Sequence, residues 1–418
     1  MPKEGLMGIY NMLLLLILVL LSHNADAGDK EIRGTITLEQ AISLSVSNNP
    51  GLGVLSYELA KAKGRTLQAG LLPNPEVSLG VADFNGSGEK SLLLSQEIQL
   101  GDKRLKRKSV AALEEELILW DIKALRLDII RQTTQSFYDV LGVKELLKLN
   151  IELTQLAEEV YQTVKERVSA GKVSPLEGIK ARANLDNQRI ELKNIEKELK
   201  SAVKELNAVL GSKYQSFETV EGNLELLEPM ASLKELTELI SKNPDIIRFE
   251  TEKEHRLSAL QLEESQVFPD ITTAVGINGK ETDGYSCVVE FSMPFKIFDR
   301  NQGNIKEACQ SLEQVSKEQY AAEVSIYKEL NVAYEEAAAL LNQISSLKND
   351  ILPTMEEVFN SIQEGYRFGK FSYLEVLDAQ RSFFESKSKY LESLISYHKA
   401  YAEIERLIAG FKEEVTNE

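Results

Sequence analysis

Ala170-Gly171-Lys172-Val173-Ser174-Pro175-Leu176-Glu177 is echoed far downstream by Phe368-Gly369-Lys370-Phe371-Ser372-Tyr373-Leu374-Glu375. Each segment closes one helical run and opens the next. Gly just past a periodic run is the left-handed stop residue of a helix. Ser followed three residues later by Glu predicts a capping box, and Pro175 takes the first helical position of the first copy. Both segments therefore read as the tip of a helical hairpin. Working outward, Asn49-Pro50 matches Asn243-Pro244, and Pro75-Glu76-Val77 matches Pro269-Asp270-Ile271. Asp102-Lys103 matches Asp299-Arg300, and Gly171 matches Gly369. The offsets drift slowly, from 194 through 197 to 198, so the chain carries a duplicated half far longer than any solenoid repeat.

Each half reads helix, two strands, long helix, tip, helix. Leu113, Leu117, Trp120, Ala124 and Leu127 recur at spacings of 4, 3, 4 and 3, and Ile130, Thr134, Phe137 and Leu141 continue the seam. From Lys103 to Ala170 there is no Pro, and Gly142 is the only Gly before the tip. At the α-helical rise this predicts a helix roughly 100 Å long. The second copy runs from Gln302 to Phe368, where Pro353 predicts a kink or interruption that the first half lacks. Return helices are expected over about Pro175 to Leu210 and Tyr373 to Ile408, and shorter helices over about Pro50 to Leu71 and Pro244 to Val267. A short helix stacked on a medium one matches the long helix in length, as the staves of a helical barrel require. Residues 212–232, with Gly222 and Pro229, break the pattern and link a first repeat (28–211, strands about 75–100, helical hairpin about 103–211) to a second (233–418, strands about 270–294, helical hairpin about 302–410).

The strand pairs alternate. Val77, Leu79 and Val81 oppose Glu76, Ser78 and Gly80; Leu92, Leu94, Ile98 and Leu100 oppose Ser95, Glu97 and Gln99. In the second copy Ile271, Thr273, Val275 and Ile277 oppose Thr272, Ala274, Gly276 and Asn278. Cys287, Val289, Phe291 and Met293 oppose Ser286, Glu290 and Ser292. About nine residues per strand is the length that crosses a tilted membrane barrel. The loops Asn85-Gly86-Ser87-Gly88 and 278–284 are polar turn sequences. The same alternation fits hairpins half-buried on a soluble core. Two hairpins cannot close a barrel, so the membrane reading requires oligomerisation.

The chain has 418 residues, a formal net charge of −17 and 43% apolar residues. That acidity argues against nucleic acid or an anionic membrane surface as a partner, and is consistent with either plain solubility or an acidic cavity that favours cations. Met12 to Leu21 is apolar and Ala25-Asp26-Ala27 offers a small-x-small cleavage site, so residues 1–27 read as a secretory signal peptide. No Cys adjoins that site, so no lipid anchor is expected. Cys287 and Cys309 fall in different elements and are expected as free thiols. No metal-ligand cluster, cofactor loop or catalytic constellation is visible, so an enzyme is not expected.

Several stretches together resemble the TolC-like outer membrane factors, over essentially the whole mature chain. These are Leu38-Glu39-Gln40-Ala41 with Asn48-Asn49-Pro50, Leu72-Pro73-Asn74-Pro75, and the two Gly-x-x-Ser tips. Residues 95–104 (SQEIQLGDKR) and 298–304 (FDRNQGN) resemble the strand-to-helix junctions of the cation-efflux (CzcC-like) branch. The resemblance implies a mostly α fold with a membrane β-barrel portion. A homotrimer would form a 12-strand β-barrel in the outer membrane lipid and a 12-helix barrel in the periplasm. It implies an exit duct in a tripartite efflux system, opened by a periplasmic adaptor and fed by an inner-membrane transporter, exporting cations or small toxic molecules. A type I protein secretion duct shares the fold, and an exported coiled-coil scaffold is the rival outside it.

Carried over to this sequence, adaptor docking falls on Val168, Gly171, Val173 and Ser174 in one tip and on Phe368, Gly369, Phe371 and Ser372 in the other. A Gly turn admits a close partner backbone; the plainer reading is that Gly and Ser only stop and cap helices. Glu375 and Asp378 match the aperture carboxylates, which in a trimer would form a cation-favouring ring with raised pKa values. Otherwise Glu375 is merely a capping residue and Asp378 a solvated one. Glu177 and Tyr366 match positions that hydrogen-bond across tips in the closed state, while Lys180 breaks the acidic pattern of the first tip. Glu97 and Glu290 are expected to line the barrel lumen.

Overall fold

A computed structural model describes residues 34–84, 87–213, 217–280 and 284–411. The expected signal peptide and the turn residues Asn85, Gly86 and 281–283 lie outside the described residues. In chain order the elements are β1 (Thr35–Ile36), α1 (Leu38–Asn48), α2 (Pro50–Ala69), β2 (Glu76–Phe84), β3 (Ser87–Ile98), α3 (Lys103–Ser169) and α4 (Pro175–Val209). There follow β4 (Thr219–Val220), α5 (Leu233–Leu239), α6 (Pro244–Ser265), β5 (Ile271–Lys280), β6 (Gly284–Ser292), α7 (Gln302–Ser346), α8 (Leu352–Arg367) and α9 (Tyr373–Leu407).

The duplication is local as well as global. α2 and α6 both start with Pro after an Asn whose side chain accepts a backbone N–H, Asn49 from Gly51 and Asn243 from Asp245. Both long helices start after a non-Gly residue in the left-handed region, Asp102 at φ 57° and Asn301 at φ 59°. Asp and Asn tolerate that region better than other L residues. The structural counterpart of Asp102 is therefore Asn301, two residues beyond the Asp299 that sequence matching pairs with it. At the first corner the Lys103 ammonium, 3% exposed, donates to Phe268 O and to Asp270 Oδ1, each at 2.7 Å, and the same oxygen accepts from Leu100 N–H at 3.0 Å.

The first long helix is unbroken for 67 residues. Gly142 lies where it crosses α9, and a Cβ there would sit 2.1 Å from Ile395 Cδ1. The glycine is a packing requirement. The second long helix does not break at Pro353. A π turn over Leu347–Ile351 widens the coil, and Pro353 then sits in the first turn of α8, where its missing N–H costs nothing. The structure thus replaces the expected interruption with a bulge.

Helix α3 is the hub, packing against α2, α4, α6 and α9, while α9 also packs against α7 and α8. The main core lies at mid-height, where Phe137, Leu141, Leu206, Leu330, Leu394 and Tyr397 meet Phe217 and Val220 of the linker. β4 of that linker pairs in parallel with β1, tying the start of the described chain to the junction between repeats. His398 is buried here, stacked on Tyr138 at 3.9 Å, with Nε2 2.9 Å from Leu224 O. Burial pushes its pKa below the ordinary value of 6.5, and the Leu224 contact partly opposes this.

The other four strands form one antiparallel sheet in the order β2-β3-β5-β6. Val77, Leu94, Val275 and Val289 stand in one cross-strand row, and Leu79, Leu92, Ile277 and Cys287 in the next. The opposite face carries the row Glu76, Ser95, Ala274 and Glu290, and the row Glu97, Thr272 and Ser292. The expected alternation is thereby brought into register. The apolar face is open: Leu79 and Val81 are each 79% exposed. Both cysteines are free, as expected. No helix among the described residues is long and apolar enough to cross a membrane.

Candidate functional site

The two tips end in the same backbone motif. Gly171 N–H donates to Val168 O and Lys172 N–H to Arg167 O; Gly369 N–H donates to Tyr366 O and Lys370 N–H to Gly365 O. Gly171 and Gly369 have φ of 69° and 75°. These paired bonds satisfy the last carbonyls of α3 and α8 and require the left-handed residue that glycine supplies.

The starts of the return helices differ. Ser372 and Glu375 form a full capping box: Ser372 N–H donates to Glu375 Oε2 at 2.7 Å, and Glu375 N–H to Ser372 Oγ at 3.4 Å. Ser174 instead accepts from Leu176 N–H at 3.2 Å and makes no box with Glu177. Pro175 fixes φ at the first helical residue and the hydroxyl takes the nearer amide. The expectation of two equal boxes is corrected on this point. The Glu177 carboxylate, released from capping, is half-buried and close enough to Tyr366 to push its phenol pKa upward.

Tyr366 and Tyr373 are the large buried residues of the tip, packed with Val160, Val164, Ala181 and Val376. Neither hydroxyl has a hydrogen-bond partner among the described residues. Burial pushes Tyr373 up to about 12, with Tyr366 adding to it. Burial also raises Tyr366, against the pull of Arg167. Arg167, absent from the sequence reading, is a side chain of the tip that joins the two hairpins. Its Nη1 donates to the Tyr366 carbonyl at 2.8 Å, and its guanidinium lies 4.5 Å from the Tyr366 ring centre. A basic residue in the last turn of a helix complements the helix dipole, so the position of Arg167 in α3 alone does not point to a cross-hairpin role. No Glu177–Tyr366 hydrogen bond occurs within the chain; the two are brought together electrostatically only.

The expected docking residues sit at the tips. Gly171, Ser174, Phe368, Gly369, Phe371 and Ser372 are exposed, and Val168 and Val173 are half-buried. The Phe371 ring covers Gly365, where a Cβ would lie 2.4 Å from it. Glu375 and Asp378 are both exposed on the first turns of α9. The Ser372 hydrogen bonds hold Glu375 below the usual carboxylate range, and Asp378 reinforces the charge of Arg381 one turn on.

Above the tips, α3, α4, α7 and α9 curve around a groove of about 1420 Å³. Glu191 and Glu198 of α4, Glu329 and Glu336 of α7, and Glu385 and Glu392 of α9 line it in pairs seven residues apart. That spacing keeps each pair on one helical face. In all, eight carboxylates face three bases, of which Lys399 is paired with Asp139 and Arg381 with Glu385. These glutamates are missed by motif reading, because a heptad of charges alone reads as a solvated face. Among the described residues, no group of three or more His, Cys, Asp or Glu is placed to hold a metal.

The family model for outer membrane efflux proteins matches residues 41–212 and 236–410, one block per repeat. The chain belongs to the outer membrane efflux protein family. Over 381 residues it is 32% identical to the cobalt-zinc-cadmium resistance protein CzcC of Cupriavidus metallidurans, covering 91% of each chain. It is 24% identical to the cation efflux system protein CusC of Escherichia coli K12, covering 87% of this chain and 84% of CusC. Among solved structures, a membrane protein from Pseudomonas aeruginosa superposes with a TM-score of 0.77 at 18% identity, covering 89% of this chain and 90% of the other. Efflux-family membership places the protein in the outer membrane, with its helices extending into the periplasm. The stretch between the two matched blocks contains β4.

Proposed function

We propose that three copies of this chain form a passive exit duct for cations, closed at the tips and opened by a periplasmic adaptor. An inner-membrane pump feeds it. The observation that carries this reading is the four-stranded sheet with one apolar open face and two unpaired edges, β2 and β6. Such edges demand partners, and three sheets joined edge to edge give twelve strands with no free edge. Glu76, Glu97 and Glu290 then face the lumen, and further glutamates line the groove of the helical part. An acidic conduit raises the local concentration of cations and repels anions. The similarity to CzcC and CusC supports metal cations as cargo.

Within this reading Glu375 and Asp378 line the aperture, while Arg167, Tyr366 and Glu177 hold it closed. Val168, Gly171, Val173, Ser174, Phe368, Gly369, Phe371 and Ser372 receive the adaptor. Reconstitution in planar bilayers tests the duct: cation-selective channels are expected. A purified protein that stays monomeric and inserts no conductance would overturn it. Deleting the chain in its host is expected to sensitise cells to divalent metals. Loss of a secreted protein with unchanged metal tolerance would favour the secretion-duct alternative.

A further inference from the structure

Against a net charge of −17, residues 101–108 hold Lys103, Arg104, Lys106, Arg107 and Lys108 with Asp102 as the sole acid. This run occupies the end of the sheet and the first turns of α3. Two of the bases have internal tasks: Lys103 clamps Asp270, and Arg107 donates to Gln99 Oε1 at 3.0 Å. The side chains of Arg104, Lys106 and Lys108 have no ion pair or hydrogen bond among the described residues. The Lys108 stem passes Gly70, 3.4 Å from the position of a Cβ there, next to exposed Leu71 and Leu72. Leu105 is exposed between the bases. The second repeat brings Arg300 and Lys306 to its own corner, beside Ile297 and Phe298, the latter 91% exposed. Unpaired bases therefore adjoin large apolar side chains at the end of a sheet whose outer face is apolar.

We propose that this corner is a collar that binds the anionic head groups of phospholipids in the periplasm-facing leaflet. The inference rests on the outer-membrane placement of the sheet. The strand ends that join the helices lie opposite the Phe84–Ser87 and Lys280–Gly284 ends of the hairpins, so they meet the leaflet next to the periplasm. There Leu72, Leu105 and Phe298 sit at acyl depth, and the flexible basic side chains reach outward to the phosphates. A basic residue near an anionic lipid surface is worth about a fivefold preference. Long-range repulsion by the rest of this acidic chain is cut off within about 10 Å at ordinary ionic strength, so a local basic patch keeps its attraction.

The test uses the full mature protein reconstituted into vesicles with spin-labelled phosphatidylglycerol or spin-labelled phosphatidylcholine. The measured quantity is the fraction of each label immobilised at the protein. Wild type is expected to favour phosphatidylglycerol by about fivefold or more, with the preference falling as salt rises. The triple variant Arg104→Gln, Lys106→Gln, Lys108→Gln is expected to immobilise both labels nearly equally while still forming conducting trimers. Its charge-keeping counterpart Arg104→Lys, Lys106→Arg, Lys108→Arg is expected to retain the preference. Equal immobilisation of both labels by wild type, or an unchanged preference in the triple Gln variant, would overturn the collar. So would loss of the preference to inorganic phosphate at matched ionic strength, which would mark a free-anion patch. Failure of wild type to insert at all would instead refute the membrane placement itself.

Discussion

Replacing Arg167 with Ala should leave the duct leaking at rest. Arg167 makes two contacts across the hairpins, a charged hydrogen bond of 2.8 Å to the Tyr366 carbonyl and a ring contact at 4.5 Å. A hydrogen bond from a charged donor contributes about 1.5–3 kcal/mol, and an exposed cation–π contact about 0.5–1 kcal/mol. Because Arg167 is only half-buried, the low end applies, about 2 kcal/mol per chain. If three chains open together, the closed state loses about 6 kcal/mol, which shifts the closed-to-open ratio by about ten-thousandfold. Single-channel recording without adaptor is the assay: R167A should show long open events where wild type shows brief or small ones. R167K should be intermediate, since an ammonium keeps charge but not the planar stack. Y366F should stay closed, because the latch uses the carbonyl and the ring, and the hydroxyl has no hydrogen-bond partner among the described residues. An R167A channel indistinguishable from wild type, or a Y366F channel that leaks, would refute the latch.

Three further outcomes are expected. G142A should lower the melting temperature of the trimer by the equivalent of about 1–3 kcal/mol, because the new methyl meets Ile395, and I395A should restore part of the loss in the double variant. His398 is held neutral by burial, so its folded pKa lies below that of the unfolded chain. Stability is full above pH 6.5 and is lost as pH falls through the folded value, and H398N should flatten that part of a melting-temperature-against-pH curve. E375Q keeps the capping geometry but removes the charge; combined with D378N it should weaken cation selectivity in reversal-potential measurements without loosening the start of α9 in hydrogen exchange.

Most of the architecture was legible in the sequence because it is written in long periods. A 67-residue run with a continuous 4-3 apolar seam and no Pro reads as one helix, and alternation over nine residues fixes which strand face is apolar. The twin Gly stops were legible because only a left-handed residue permits their hydrogen bonds. What escaped depends on neighbours distant in the chain. Arg167 gains meaning only beside Tyr366, 199 residues away. The heptad glutamates gain theirs only when three helices share one groove. Glu375 shows how local chemistry hides function: one carboxylate satisfies a capping box and still stands exposed at the tip. The π turn ahead of Pro353 was unreadable because a Pro inside a helical run is compatible with a kink, a break or a bulge; in the fold the turn packs against α9.

The corner at Asp102 has a mechanical consequence. A rigid helix some 100 Å long is a lever, and each degree of error in its aim displaces the far tip by about 2 Å. The Arg167–Tyr366 hydrogen bond at the far end is a short contact of 2.8 Å, so it is sensitive to such displacements. Lys103, buried at the pivot and bonded to Asp270 and Phe268, fixes the direction in which the helix leaves the sheet, and on the proposed function it would act as an alignment pin for the gate at the other end. Changes at this distant corner, with no residue of the tip altered, should misalign the gate.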